Sequence, residues 1–548
     1  MIKCLILLII CAVYVRATTL PMEVGHDNVK AIKIQGNKFV TSEGYQFYIK
    51  GIAYQRNREE HDSFVNDGFG YIDPLANKTT CLRDLKYLQQ LNVNVVRVYQ
   101  IDPSKNHDIC MDAFASKGIY VLLDLAEPET SINRNNPTWN IDVFDRYKYV
   151  IDSMHKYNNV LGFFAGNEVS NSLVNIDASP FVKAAIRDSK SYMKSKGYRN
   201  IPVGYASNDD SDIRNNVADY FSCGDSSERA DFFGLNMYEW CGYSSYSTSG
   251  YRDRTFEFGK STIPVFFSEF GCNTMTPRPF TEVEALYGLT MSKVWSGGIA
   301  YEYFQHGNKY GVVKETKNGS IVPLDDFNIL SSRYNLNTPK QTSIVMAETN
   351  ETNLQQCPQS SDWKASEKLP PTPDRGKCEC LQSSLSCILT PFKEVREEDL
   401  LNEVCSKIDC KEIAADGIHG QYGKFSDCSL NQKVSFALDK YYSLHNKTGD
   451  ACNFNERAVL ITNNDRSDLR SIFLRDGRTC EDALKDAESH DKEVQNSGQQ
   501  KVSPTFDGYA SFESQNKTEI AKSLAASYKN TISSLFGLGL LAILKYLF

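Results

Sequence analysis

The chain has 548 residues, more than one hydrophobic core usually organises, so at least two domains are expected. Its net charge of -8 is spread over 60 Lys and Arg and 68 Asp and Glu. That mixture argues against a nucleic-acid partner and suits a solvated protein handling a neutral ligand.

Residues 1–17 (MIKCLILLIICAVYVRA) place Lys3 ahead of an apolar stretch, with Val15 and Ala17 at small-residue cleavage positions. This is the pattern of a secretory signal cut after Ala17. Its removal takes Cys4 and Cys11 and leaves 14 of the 16 cysteines, an even number suited to disulfides in an oxidising compartment. Sequons at Asn77, Asn318, Asn350, Asn446 and Asn516 are compatible with glycosylation along the same route.

A small hairpin is expected at 31–40 (AIKIQGNKFV), turning at Gly36 and Asn37, as a lid on the closed end of a barrel. Eight apolar, β-rich runs follow, at 47–54, 93–100, 119–126, 160–168, 201–206, 230–240, 263–271 and 297–304. Between them lie helical patterns, such as 81–91, with apolar residues at 82, 85, 88 and 91, and 179–193. Eight strand-then-helix units in about 300 residues predict an α/β fold, a (β/α)8 barrel, over 18–335. A doubly wound open sheet is the rival, but no glycine-rich phosphate loop follows any strand.

Periodicity fades over 336–377, where Pro, Ser, Thr and Asn accumulate. This reads as a linker, and Cys357 within it is expected to be tied back to the barrel. Residues 378–480 hold eight cysteines, the density of a small disulfide-stapled module. A charged stretch, 481–525, reads as a polar spacer. The last 14 residues, 535–548 (LFGLGLLAILKYLF), are short for a span needing about 20. Small residues at Ala525, Ala526 and Ser527 precede them, the order of a signal that exchanges 526–548 for a glycolipid (GPI) anchor near Ala525. Lys545 interrupts the tail, and a marginal membrane helix is the alternative.

Two runs end in carboxylates. The first, 160–170 (VLGFFAGNEVS), breaks from apolar to polar at Asn167 and Glu168; the second, 263–271 (IPVFFSEFG), carries Glu269. Strand C-termini form the chemical mouth of a parallel barrel, and two carboxylates there are the minimum for cleaving a glycosidic bond. Glu168 is the better acid, because an apolar strand end and a neighbouring carboxylate favour a neutral carboxyl, which leaves Glu269 as nucleophile. Taken singly, either glutamate would more often be a solvated or ion-paired surface residue. No Cys/His grouping has metal spacing, and this chemistry requires neither metal nor cofactor.

The motifs GNEVS at 166–170, SEFGC at 268–272, RVYQIDP at 97–103, MYEWCGYS at 237–244 and PRPFTEVEALY at 277–287 resemble the fungal cell-wall β-1,3-glucanosyltransferases of glycoside hydrolase family 72. The similarity extends through the cysteine-rich module, which in that family binds glucan. The resemblance implies Glu168 as acid/base and Glu269 as nucleophile. It implies that Asn167 bonds the sugar 2-hydroxyl and that Tyr99, Asp124, Tyr238, Tyr301 and Gln55 line the groove around the scissile bond. Helix capping by Asp124 and plain packing by the tyrosines are the alternatives. It further implies the pairs Cys81–Cys110, Cys223–Cys357, Cys241–Cys272, Cys378–Cys428, Cys380–Cys480, Cys387–Cys452 and Cys405–Cys410, among connectivities that sequence alone leaves open.

The expectation is therefore a retaining, secreted and anchored enzyme, a monomer at the outer face of the plasma membrane and cell wall. It would cut a β-1,3-glucan internally and pass the new reducing end to a second glucan. A β-1,3-glucan hydrolase, or an inactive glucan-binding wall protein, are the competing expectations.

Overall fold

The computed structural model describes residues 29–57, 71–344, 355–461 and 469–496. The secretory signal, the Asn350 and Asn516 sequons and the anchor signal lie outside the described residues. Eight parallel strands close into a barrel: β1 (Ile49–Ala53), β2 (Val95–Val98), β3 (Tyr120–Asp124), β4 (Val160–Asn167), β5 (Val203–Asn208), β6 (Phe233–Cys241), β7 (Val265–Cys272) and β8 (Trp295–Ala300). Each pairs with its neighbour in sequence, and β8 pairs with β1. All eight fall on the apolar runs, because a strand covered by helices outside and filled with side chains inside must be hydrophobic on both faces.

The helices between them are α1 (Lys78–Leu91), α2 (Asp108–Ala115), α3 (Ile141–Met154), α4 (Ser179–Ser195), α5 (Arg214–Ser222), α6 (Tyr251–Phe258), α7 (Glu282–Leu286) and α8 (Asp325–Leu336). Helix α1 starts earlier than its apolar pattern: Asn77 caps it by accepting from the Thr80 N–H, and the same side chain is the first sequon. The N-terminal hairpin pairs Lys33–Gln35 with Lys38–Val40. Its Phe39 is fully buried against Phe232 and Phe266, ring centroids 6.0 Å from each, so one aromatic side chain plugs the barrel interior.

The linker lies along the barrel. Cys357 is bonded to Cys223, Trp363 packs 5.3 Å from Tyr220, and Pro370 and Thr372 bond Arg187 and Asp188 on α4. Beyond it the module comprises α9 (Arg375–Ser384), α10 (Glu397–Cys405), α11 (Leu430–Leu444) and α12 (Cys480–Asn496), with two short antiparallel strand pairs. The structure joins Cys81 to Cys110, Cys241 to Cys272, Cys378 to Cys428, Cys380 to Cys480, Cys387 to Cys452 and Cys405 to Cys410.

Residues read from sequence as the start of a polar spacer belong instead to α12. The helix buries Ala483 and Ala487, and its Cys480 is bonded to Cys380 on α9. Two alanines and Leu484 form a narrow apolar stripe in an otherwise charged stretch, and they suffice for a helix pinned covalently at its first residue.

Candidate active site

At the C-terminal mouth of the barrel the structure brings Asn167, Glu168, Tyr99, Tyr238, Tyr301 and Glu269 around one buried cation, Arg97. Arg97 stands in the middle of β2 and is completely enclosed. Its Nε and Nη2 donate to the two oxygens of Asp124 at 3.1 and 3.0 Å, Nη1 to Glu269 Oε1 at 3.3 Å and to the Ser268 carbonyl at 3.2 Å, and Nη2 also to Asn167 Oδ1 at 3.0 Å. A guanidinium is always charged and donates only, so one fixed cation orients three acceptor side chains at once. Its plane also lies over the Tyr99 and Phe164 rings, at 4.4 and 4.3 Å.

Glu269, within β7, takes further bonds from the Tyr99 hydroxyl to Oε1 (2.8 Å) and the Tyr238 hydroxyl to Oε2 (2.9 Å). Burial raises its carboxyl above the ordinary glutamate value; Arg97 and the two phenols oppose that rise, and the charge of Glu168 adds to it. Both phenols are held well above the usual tyrosine value, first by burial and then by Glu269, so they remain O–H donors. The carboxylate is thus held by three donors while lying in low dielectric, bound by fixed groups rather than solvated.

Glu168 follows the last residue of β4 and takes a left-handed φ of +50°. For a residue with a Cβ this costs on the order of 1–2 kcal/mol. The conformation is held from both sides: its N–H donates to the Ala206 carbonyl at 2.8 Å and its carbonyl accepts from Arg134 at 2.6 Å. Its Oε1 accepts from Asn236 Nδ2 at 2.7 Å. The turn re-aims the side chain at a strand end, where such irregularity concentrates in active sites.

Asn167 spends Oδ1 on Arg97 and, at 3.2 Å, on Asn236, leaving its two N–H donors without a protein partner among the described residues. Tyr301 follows β8 and stands in an aromatic wall with Tyr310: centroid distances are 6.4 Å from Tyr99 to Tyr301, 5.3 Å from Tyr301 to Tyr310 and 5.8 Å from Tyr310 to Tyr238. Arg278, 1 % exposed, fixes this wall from behind, donating to the Tyr301 and Tyr310 carbonyls while Asp326 on α8 holds its Nε at 2.6 Å.

Two expected groove residues face inward. Asp124 is 7 % exposed and gives both oxygens to Arg97. Gln55 is 4 % exposed; its Oε1 accepts from the Tyr99 and Gln100 N–H groups at 3.1 and 3.0 Å, and its Nε2 donates to the Ile72 carbonyl at 3.2 Å. Both act on the site through the residues they brace.

Arg97, Asn236, Ser268, Arg278, Tyr310 and Glu302 were not singled out from sequence. An arginine in the middle of an otherwise apolar run (VNVVRVYQ) is the one signal that could have found the hub, since an unpaired buried cation is untenable. Glu302, 2 % exposed beside Tyr301, is pushed up to about 7 by burial, with Glu269 adding to the effect and a bond from Asn308 opposing it.

Residues 22–337 match the glucanosyltransferase model of glycoside hydrolase family 72, and 385–459 match the X8 domain. The chain is 51 % identical over 494 residues to the 1,3-beta-glucanosyltransferase PGA5 of Candida albicans, covering 85 % of this chain and 77 % of that one. It is 52 % identical over 448 residues to the 1,3-beta-glucanosyltransferase GAS2 of Saccharomyces cerevisiae, covering 80 % of each. Among solved structures, a Glu-to-Gln variant of S. cerevisiae Gas2p superposes with a TM-score of 0.77 at 48 % identity, covering 86 % of this chain and 99 % of that one. The same variant in complex with laminaritetraose and laminaripentaose gives 0.75 at 49 % identity, with coverage of 85 % and 100 %.

Proposed function

The chain belongs to the glucanosyltransferase family of glycoside hydrolase family 72, and from that membership we propose that it is a retaining 1,3-β-glucanosyltransferase that elongates wall glucan. The observation that carries the mechanism is the pairing of an Arg- and Tyr-bound Glu269 with Glu168 on the next strand but two of the same mouth. Glu269 attacks the anomeric carbon, Glu168 gives its proton to the glycosidic oxygen, and the C–O bond breaks to leave a glycosyl ester on Glu269. An acceptor hydroxyl then attacks the anomeric carbon of that ester and gives its proton to Glu168, and the bond from the anomeric carbon to Glu269 breaks to release the carboxylate. Two inversions retain the anomeric configuration.

Transfer rather than hydrolysis requires an acceptor sugar held well enough to outcompete water, and the Tyr301–Tyr310–Tyr238 wall offers ring faces for it. The secreted domain, incubated with reduced laminari-oligosaccharides, is expected to give products both shorter and longer than the donor. Shorter products alone across a range of acceptor concentrations would establish a hydrolase. Glu269→Gln is expected to abolish cleavage and ester formation, and Glu168→Gln to cripple turnover while sparing glucan binding.

The signal-like N-terminus and the small-residue, spacer and apolar-tail order at the C-terminus support attachment to a glycolipid near Ala525, outside the plasma membrane. An anchor would confine the enzyme beside an insoluble polymer. Release of the protein from intact cells by an anchor-specific phospholipase tests this; retention with the tail attached favours a membrane helix.

A further inference from the structure

We propose that Asn236 and Ser268 fix the acid proton of Glu168 on Oε2, making Asn236 a positioning residue for general acid catalysis. The inference rests on the acid/base role of Glu168 proposed above. It follows from the direction of each hydrogen bond in a chain that starts at Arg97.

Arg97 can only donate. The Asn167 atom 3.0 Å from its Nη2 is therefore the carbonyl Oδ1, an acceptor. The Asn236 atom 3.2 Å from that oxygen must then be the donor Nδ2, and the same nitrogen lies 2.7 Å from Glu168 Oε1. Both hydrogens of one amide nitrogen are thereby committed, one to Asn167 and one to Glu168. The far end of the amide is consistent: Asn236 Oδ1 accepts from the Ser268 hydroxyl at 2.7 Å. Turning the amide over would set oxygen against oxygen at both Asn167 and Glu168. Asn236 is 4 % exposed and Ser268 fully buried, so water does not compete for these bonds.

Glu168 Oε1 is consequently an acceptor in either protonation state, and a neutral carboxyl carries its hydrogen on the other oxygen. Oε2 has no protein partner among the described residues, which leaves it for the glycosidic oxygen. When the proton is given up, the Asn236 N–H stays on the carboxylate and stabilises its charge; when the acceptor hydroxyl returns a proton, it returns to Oε2. Asn236 is in register with Glu269 across β6 and β7, and Ser268 precedes Glu269, so the frame that holds the nucleophile also orients the acid.

The test exploits leaving-group chemistry. A dinitrophenyl β-laminaribioside needs no proton on its leaving oxygen, whereas a laminari-oligosaccharide does. Asn236→Asp, which replaces the donor by an acceptor of equal size, is expected to lower kcat/KM on laminari-oligosaccharides by about 10²-fold more than it lowers first-turnover release of dinitrophenolate. Ser268→Ala is expected to show the same pattern with a smaller loss, since Arg97 and Asn167 still orient the amide. Equal losses on both donors, or none on either, would overturn the proposal. If Asn236→Asp does not fold, Ser268→Ala decides by the same ratio. Glu168→Gln, run alongside, separates the two readings: equal losses there overturn the acid/base role itself, whereas discrimination there without discrimination in the Asn236 and Ser268 variants overturns this inference alone.

Discussion

Glu269 shows what one residue requires of its surroundings. For the nucleophilic role proposed for it, it must be ionised, yet burial raises its carboxyl above the ordinary value, and Arg97, Tyr99 and Tyr238 hold that rise in check. Because the raised value must be exceeded for activity, turnover falls as the pH drops through it, and the acid limb of the rate profile lies above that of a free glutamate. Tyr238→Phe removes one donor from the carboxylate and shifts the balance further toward the neutral acid. The acid limb of kcat/KM is expected to move to higher pH, with a loss at the optimum of about 10-fold or more, the worth of a hydrogen bond to a charged group. A variant with the parental profile would show that the phenol only packs. The two carboxylates were legible in the sequence because each breaks an apolar run near its end. Arg97 and Asn236 were not, since a polar residue inside a strand advertises neither its partners nor its direction. Asp124 and Gln55 also stand at strand ends, but sequence does not distinguish a side chain facing the cleft from one facing the next loop.

At the scale of elements, the loop that carries Glu168 is held by the module as well as by the barrel. After Glu168 the chain runs through Ser170, bonded to Ser179 at 2.8 Å, into the 3-10 turn Leu173–Ala178 and then α4. The module turn between Ala415–Asp416 and Gln421–Tyr422 rests on that segment: Tyr422 meets Phe181 edge-on at 5.8 Å, and Gly417 abuts the Asp177 carbonyl so closely that a Cβ would overlap it. Gly417→Ala is therefore expected to destabilise the protein by about 1–3 kcal/mol, the usual penalty of overpacking, and to lower turnover because the displaced segment leads back to Glu168. Thermal unfolding and transfer assays check both effects; an unchanged melting temperature would mean that the turn yields without cost. The barrel strands were readable because each needs a full apolar run, whereas contacts between a glycine and a distant carbonyl leave no mark in either segment. The same holds for α12, whose packing depends on a disulfide that spacing could not assign.

In the whole molecule the barrel and the module share their cores. Ile141, the first residue of barrel helix α3, is buried with Cys378, Leu381 and Phe425 of the module, and its N–H donates to the Asp427 carbonyl at 3.0 Å. Conversely Trp363, Ala365 and Tyr422 belong to the barrel's cluster. Lys433 of α11 is buried at this junction near Asp427, Asp142 and Lys377, and burial pushes its amine down to about 8 despite the two acids. The native state therefore binds fewer protons than the unfolded chain between pH 8 and the ordinary lysine value of about 10.4, so this group's contribution to stability rises with pH across that window and is lost as the pH falls through 8. At neutral pH the junction bears the cost of a desolvated charge. Lys433→Met, which keeps the length and removes the charge, is expected to unfold in a single transition at a higher temperature than the parent at pH 7, with the gap narrowing toward pH 9.5. Lys38, Lys50 and Lys183 are also pushed down to about 8, so the informative quantity is the difference between variant and parent, which cancels them. A gap constant with pH would show that the gain comes from packing alone, and two separate transitions in the parent would show that barrel and module unfold independently.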